Sequence, residues 1–292
     1  MSKLLNVSSS PHVRCGVSTK NLMYDVAIAM LPATIWGVMQ FGIYSLIVVV
    51  ATVLSCVLSE YLFETLMHKP VTISDGSALV TGMILGLNMP PAIPLWMPIL
   101  GGVFAIIVVK QLYGGLGQNW MNPALAARCF MLISFAQAMT KFTDPVTDAV
   151  ASATPLAAIK AGDTYDLAAM FIGKIPGTIG EVSVIALLIG AAYLLVKKVI
   201  TIRIPAAYIL SFAVFAFIFG QHNINYVLAE VCGGGLIFGI CLGILTGLFR
   251  IFGSGAEGVS YAIIFCNMLV PLIEKVTLPT AFGKGGKKNG SK

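Results

Sequence analysis

Apolar residues run through this chain in long stretches, interrupted by short polar intervals and by one long one. A helical crossing of a bilayer core of about 30 Å needs about 20 apolar residues. The runs 25–42, 44–67, 77–89, 97–113, 123–139, 180–199, 205–220, 227–250 and 257–274 read as candidate spans. The third is too short to cross as a regular helix. Ser74-Asp-Gly-Ser77 precedes it and Asn88-Met-Pro-Pro-Ala-Ile-Pro94 follows it. Segments interrupted this way by Gly and Pro read as half-helices, which a membrane tolerates only where their backbone lines a protein-enclosed cavity. Residues 74–91 are therefore a candidate ligand wall. The pattern predicts an all-α, polytopic transmembrane bundle of about nine or ten spans. It reads as one integral membrane domain over 1–292, with a long external loop over 140–180.

Composition agrees. Of 292 residues, 58% are hydrophobic and only 10% are charged, against about 25% charged in ordinary globular proteins. The first twenty residues contain Lys3, Arg14 and Lys20 and no apolar run, so no cleavable signal peptide is expected there. A formal charge of +6 points to loop orientation in the bilayer and not to nucleic acid. Cys15, Cys56, Cys129, Cys232, Cys241 and Cys266 lack paired spacing and read as small hydrophobes, with no metal site expected.

Lys and Arg in short loops set orientation. With the N-terminus inside, Lys69, Lys110, Lys197, Lys198 and Arg203 fall on the cytoplasmic side, and 140–180 falls outside. The count then conflicts with the tail, whose Lys284, Lys287, Lys288 and Lys292 belong inside. A crossing missing after Glu230 would resolve the conflict.

Charges within spans are functional suspects. Glu60 and Glu64 share one helix face, with His68 and Lys69 expected to neutralise them at the interface. Arg128, five residues after Pro123, is expected to snorkel. Asp25 reads as a helix-terminal charge.

Two polar stretches carry candidate chemistry. In Asp144-Pro-Val-Thr-Asp-Ala-Val-Ala-Ser-Ala-Thr-Pro-Leu-Ala157, small residues leave backbone amides accessible, and Thr154 before Pro155 suits a helix start. Thr154 either simply caps a short surface helix or marks a site for phosphate at that helix's N-terminus. In Gly114-Gly-Leu-Gly-Gln-Asn-Trp-Met-Asn-Pro-Ala124, the glycines permit close backbone approach, and Asn119 and Asn122 offer both donors and acceptors. That loop either binds a flat heterocycle, with Trp120 stacking on it, or is an interfacial turn in which Asn122 caps a helix begun at Pro123.

Ser74-Asp-Gly-Ser-Ala-Leu-Val-Thr-Gly82, Gly117-Gln-Asn-Trp-Met-Asn-Pro-Ala124 and Asp148-Ala-Val-Ala-Ser-Ala-Thr-Pro155 together resemble the NqrB/RnfD family. These are membrane flavoprotein subunits of ion-pumping electron-transfer complexes. The likeness runs on to Glu257-Gly-Val-Ser-Tyr-Ala262 and Asn267-Met-Leu-Val-Pro271, and the short N-terminus looks like the RnfD branch. The resemblance implies FMN joined to the Thr154 hydroxyl through a phosphoester, within a motif Asp-x-x-Ser/Thr-Gly-Ala-Thr. Asp148, Ala153 and Thr154 match it, whereas Ala151 and Ser152 replace the usual hydroxyl residue and glycine. It also implies a non-covalent riboflavin touched by Asn119 and Asn122. A family stretch with an Ala-Thr-Asp-x-x-Thr-Ser-Pro element is absent between Gly235 and Phe238, where the charge pattern also wants another crossing.

By resemblance, the function is electron relay between flavins in an Rnf-type ferredoxin:NAD⁺ oxidoreductase that moves Na⁺ or H⁺ across a bacterial cytoplasmic membrane. Partners would be the other subunits, a flavin transferase and the lipid. No acid–base or nucleophilic catalyst is apparent in the chain. NAD and ferredoxin sites are expected on partners, because neither a dinucleotide-binding glycine motif nor an iron–sulfur cysteine cluster occurs. The rivals are an NqrB-like component of a Na⁺-pumping NADH:quinone reductase and a flavin-free channel or transporter.

Overall fold

The computed structural model describes residues 18–119, 121–143, 150–151 and 171–202, with short stretches at 205–206, 208–210, 214, 244–246, 248 and 262–266. Helix α1 (Thr19–Phe41) starts under the Ser18 side chain, which accepts from the Asn21 N–H at 3.3 Å. The helical ladder breaks at Gly42, whose φ of 81° suits glycine, and resumes as α2 (Ile43–Leu66). At 1.5 Å per residue these helices are about 35 Å long, enough to cross a hydrocarbon core. A 3₁₀ turn (Ile73–Asp75) leads into α3 (Ser77–Leu87), which has 11 residues. At about 16 Å it spans half a bilayer, as the sequence pattern predicts. Helix α4 (Trp96–Val103) passes without interruption into a π-helical stretch, Phe104–Gln111. The run expected over 123–139 is divided at Phe135 into α5 (Pro123–Ser134) and a single turn, α6 (Ala136–Met139). Helix α7 (Val184–Val196) follows the long polar interval.

That interval carries an addition to the helical pattern. Strands β1 (Phe142–Thr143) and β2 (Val150–Ala151) pair antiparallel, Phe142 opposite Ala151 and Thr143 opposite Val150. By Ile179 the chain lies inside the bundle: Ile179 is fully buried. The N–H groups of Ile179 and Gly180 donate to the carbonyls of Met89 (3.1 Å) and Leu87 (2.8 Å). This satisfies acceptors at the end of α3 that helix geometry leaves unpaired.

On α1 and α2 burial is largely inverted relative to a water-soluble protein. On α2 the inward face is Thr52, Ser55, Cys56, Ser59, Glu60 and Glu64, while Ile47, Val50, Leu54, Leu58 and Leu62 point outward. On α1, Ala27, Ala29, Ala33, Thr34 and Gly37 are inside, whereas Ile35 and Met39 are 59% and 72% exposed. Small and polar residues facing protein with large apolar ones facing out is the packing that lipid requires. The chain is a polytopic helical membrane protein. Its later candidate spans lie mostly outside the described residues, apart from a small cluster of Tyr208, Ala262 and Cys266. Cys56, Cys129 and Cys266 are buried and not joined in disulfides among the described residues.

Helix α3 sits at the centre, touching α1, α2, α4 and α5. Leu85, Leu87 and Met89 join Val48, Ile93, Met131 and Ile179 in the main core. Gly82 lets α3 lie against the α2 backbone, since a Cβ there would stand 2.6 Å from the Val53 Cα. Gly82→Val is expected to force the helices apart and lower stability by about 1–3 kcal/mol. Gly101→Ala, whose Cβ meets only side chains at 3.5 Å or more, should be nearly neutral. Thermal unfolding of the purified protein in detergent compares the two.

Candidate functional site

The inward face of α2 brings Glu60 and Glu64 into the bundle, and the π stretch supplies what meets them. A π turn is wider than an α turn. Here Leu112 and Gly115 donate their N–H groups to the Ile107 and Lys110 carbonyls, five residues back. The sequence neighbours Lys110 and Gln111 both turn toward α2 as a result. Lys110 Nζ donates to Glu60 Oε1 at 2.6 Å and to Ser77 Oγ at 2.6 Å. Gln111 Nε2 donates to Glu60 Oε1 at 2.7 Å and to Glu64 Oε1 at 3.2 Å. Lys110 is 2% exposed and Glu60 not at all. The Ser77 hydroxyl passes the chain on, donating to Asp75 Oδ1 at 2.5 Å. At the other end, Thr72 donates to Glu64 through its hydroxyl at 2.5 Å and its N–H at 2.9 Å. The second oxygen of Glu60 is buried without a hydrogen-bond partner among the described residues.

Three carboxylates and one ammonium thus lie in a continuous polar chain, Asp75–Ser77–Lys110–Glu60–Gln111–Glu64–Thr72, in which Glu60 alone meets the ammonium directly. Its middle members, Ser77, Lys110, Glu60, Gln111 and Glu64, are buried, whereas Asp75 is half-buried and Thr72 exposed; in the low-dielectric interior an unpaired charge is costly.

This overturns four expectations. His68 and Lys69 do not neutralise the glutamates: Lys69 lies 5.1 Å from the Phe63 ring, and His68, at φ 53°, follows the end of α2. Lys110 is not a loop cation but the buried partner of Glu60. Arg128 does not snorkel: it is 5% exposed, and its Nη1 donates to Asn88 Oδ1 and to Glu181 Oε1, the latter at 2.8 Å. Its place on the inner face of α5 brings it to the end of α3 and the segment entering α7. Asp25 is in the second turn of α1 and accepts from the Tyr193 hydroxyl at 2.8 Å, with Lys197 Nζ at 3.6 Å, so it ties α1 to α7.

Lys110 and Gln111 are the residues that sequence reasoning misses. The available signal is that two glutamates in a membrane helix demand a cation from another span, and Lys110 lies within the run 97–113.

The charge chain borders a cavity of about 150 Å³ lined by Met23, Ser77, Thr81, Lys110, Asn119 and Asn122, among others. Part of the expected ligand wall, Ser77, Val80, Thr81 and Ile84, forms one side of it. The first residues of α3 and α5 converge here, and helix N-termini favour electron-rich groups. Asn122 does cap α5: its Oδ1 accepts from the Ala124 N–H (3.0 Å) and the Leu125 N–H (3.4 Å), with Pro123 next in the chain. Asn119 Nδ2 donates to the Met121 carbonyl at 2.9 Å. Capping engages only one end of the Asn122 amide, so both readings of this loop are compatible. A second, mainly apolar cavity of about 340 Å³ lies between α1, α3 and α7. Asp148, Ser152, Ala153 and Thr154 lie outside the described residues, which in that stretch are Val150 and Ala151 alone. Among the described residues no cluster of His, Cys, Asp and Glu forms a metal site.

The chain matches the model of the NQR2, RnfD, RnfE family over residues 6–240 and 231–283. The two stretches meet at 231–240, the region where the charge pattern wants another crossing. Over 96% of its length the chain is 42% identical to the D-type subunit of the Na(+)-translocating ferredoxin:NAD(+) oxidoreductase complex of Acetobacterium woodii, of which 95% is covered. It is 36% identical to the D-type subunit of the proton-translocating ferredoxin:NAD(+) oxidoreductase complex of Clostridium ljungdahlii, with 96% of each chain aligned. With the D-type subunit of the ion-translocating oxidoreductase complex of Yersinia pseudotuberculosis the identity is 31%, over 97% of this chain and all of the relative.

Removing one partner of the buried pair tests how far the site depends on it. Lys110→Met is expected to cost about 3–5 kcal/mol by leaving Glu60 uncompensated. Adding Glu60→Gln should restore much of that loss. A double-mutant cycle read by thermal unfolding checks it, and additive losses would show that the pair is not coupled.

Proposed function

The chain belongs to the NQR2, RnfD, RnfE family, and from that premise we propose that it is the RnfD-type component of a multi-subunit, ion-translocating ferredoxin:NAD⁺ oxidoreductase. What carries the reading is similarity along nearly the whole chain to the corresponding components of such complexes. In class the assembly is a redox-driven translocase. The chain's own part is to hold electron carriers inside the membrane while partner subunits bind ferredoxin and NAD⁺. Relatives are named for Na⁺ in one case and for protons in another, so the coupling ion is one of these two.

Two flavin sites follow. Thr154 is proposed to carry FMN through a phosphoester, attached by a flavin transferase, in a motif where Asp148, Ser152 and Ala153 accompany the hydroxyl. The cavity beside Lys110 is proposed to take the polar edge of a non-covalent riboflavin. Its polar lining fits: the Asn119 and Asn122 amides and the ammonium can donate, while the Ser77 and Thr81 hydroxyls, whose protons go to Asp75 and to the Ser77 carbonyl, can accept. Its volume of about 150 Å³ holds such an edge, and the remaining rings need space beyond these residues, since whole ligands occupy about 300 Å³ or more. Bound flavin supplies one- and two-electron redox chemistry, while the protein contributes position and electrostatics. The amides orient the ring edge, the α3 and α5 N-termini favour electron-rich atoms, and the apolar bundle excludes bulk water.

The proposed location is a bacterial cytoplasmic membrane, crossed many times. Lys69, Lys197, Lys198 and Arg203 face the cytoplasm and Thr154 lies on the external side. Removing Lys110 from the loop count leaves that orientation supported by the other four.

Protein from a flavin-competent host is expected to give a fluorescent band on a denaturing gel, lost in Thr154→Ala. A tryptic peptide spanning 142–160 should carry the mass of one FMN phosphoester. A dark band and an unmodified peptide from correctly inserted protein would favour a flavin-free transporter.

A further inference from the structure

We propose that Lys110 sets the reduction potential of the carrier in the polar cavity, and that Glu60 is the counter-charge that limits its effect. The inference rests on the reading that a non-covalent flavin occupies that cavity. Among the residues lining the cavity, Met23, Ser77, Val80, Thr81, Ile84, Leu116, Asn119, Asn122 and Pro123 are formally neutral, and Lys110 alone carries charge. Lys110 stands at a junction: the residue lines the cavity, and its ammonium donates at 2.6 Å both to Glu60 and to the hydroxyl of Ser77, itself a lining residue.

Reduction places negative charge on a flavin ring, concentrated along the heteroatom edge that the asparagines are suited to meet. A fixed cation in a dry site stabilises that charge without reorganising water. A carboxylate behind the cation opposes it. The step balances simply: the ring gains an electron from a reduced iron–sulfur or flavin partner of the complex, Lys110 keeps its protons, and no covalent bond in the chain forms or breaks. The Lys110–Glu60 pair is then an electrostatic control on electron transfer as well as a structural tie.

The two partners must therefore act with opposite sign, which a merely structural role would not produce. The experiment uses the intact purified complex as wild type, Lys110→Met, Lys110→Arg and Glu60→Gln. Non-covalent flavin is extracted and quantified, and its potential is measured by optical redox titration. Lys110→Met is expected to shift the potential downward, Glu60→Gln upward, and Lys110→Arg to stay near wild type. Riboflavin retained in the variants, with both potentials unmoved or moved in the same direction, would overturn the proposal. If Lys110→Met does not assemble, Glu60→Gln decides alone, because its amide oxygen can still accept from the ammonium: an upward shift supports the proposal and no shift overturns it. Wild-type complex without extractable riboflavin overturns the cavity reading itself, a result visible before any variant is made.

Discussion

A charge surrounded by hydrocarbon must find its partner within the protein, and in this bundle the contact between Lys110 and Glu60 meets that demand. The ion pair joins α2 to the end of the α4 run. Through Ser77 it also fixes the start of α3. Three elements are thereby held at one point, and the half-helix α3 gains a defined depth that its apolar surface alone would not specify. The second polar contact, Arg128 with Asn88 and Glu181, does the same at the other end of α3 and fastens the segment that leads into α7.

Between these two anchors, packing is close because side chains are small. Gly82 and Gly86 bring α3 against Val53 and Val49 of α2, and Gly190 brings α7 against Ala29 of α1. With no hydrophobic drive between helices in lipid, such close approach supplies much of the association through dispersion. It also leaves the bulky apolar side chains free to face outward. The polar residues, excluded from that surface, gather along the inner faces, and a cavity with convergent donors follows from that sorting.

Much of this was legible in the sequence. Run lengths and flanking Gly and Pro marked α3 as a half-helix, and Asn122-Pro123 marked the start of α5. Orientation of individual charges was harder, because hydropathy averages over a window and does not see which side of a helix a residue occupies. Chain position places Arg128 and Lys110 at interfaces, yet both face inward. Apart from Thr72 beside Glu64, the partners of Glu60 and Glu64 are Lys110 and Gln111, about 50 residues further on, beyond the reach of local pattern. The ladder of β1 with β2 is two residues long, too short to leave a periodic signature. Flavin attachment at Thr154 is implied by the family resemblance alone, and that residue lies outside the described residues.

The widened turn over Phe104–Gln111 has a consequence for reading relatives of this chain. A π bulge holds one residue more than the α-helix around it. Deleting a single residue there would barely alter the hydropathy profile, yet would let the wide turn relax to a regular α-helix. The geometry that lets the neighbours Lys110 and Gln111 both reach the glutamates of α2 would be lost. In this span a one-residue gap in an alignment weighs more than many substitutions, and homologues should keep its length more strictly than its apolar identities.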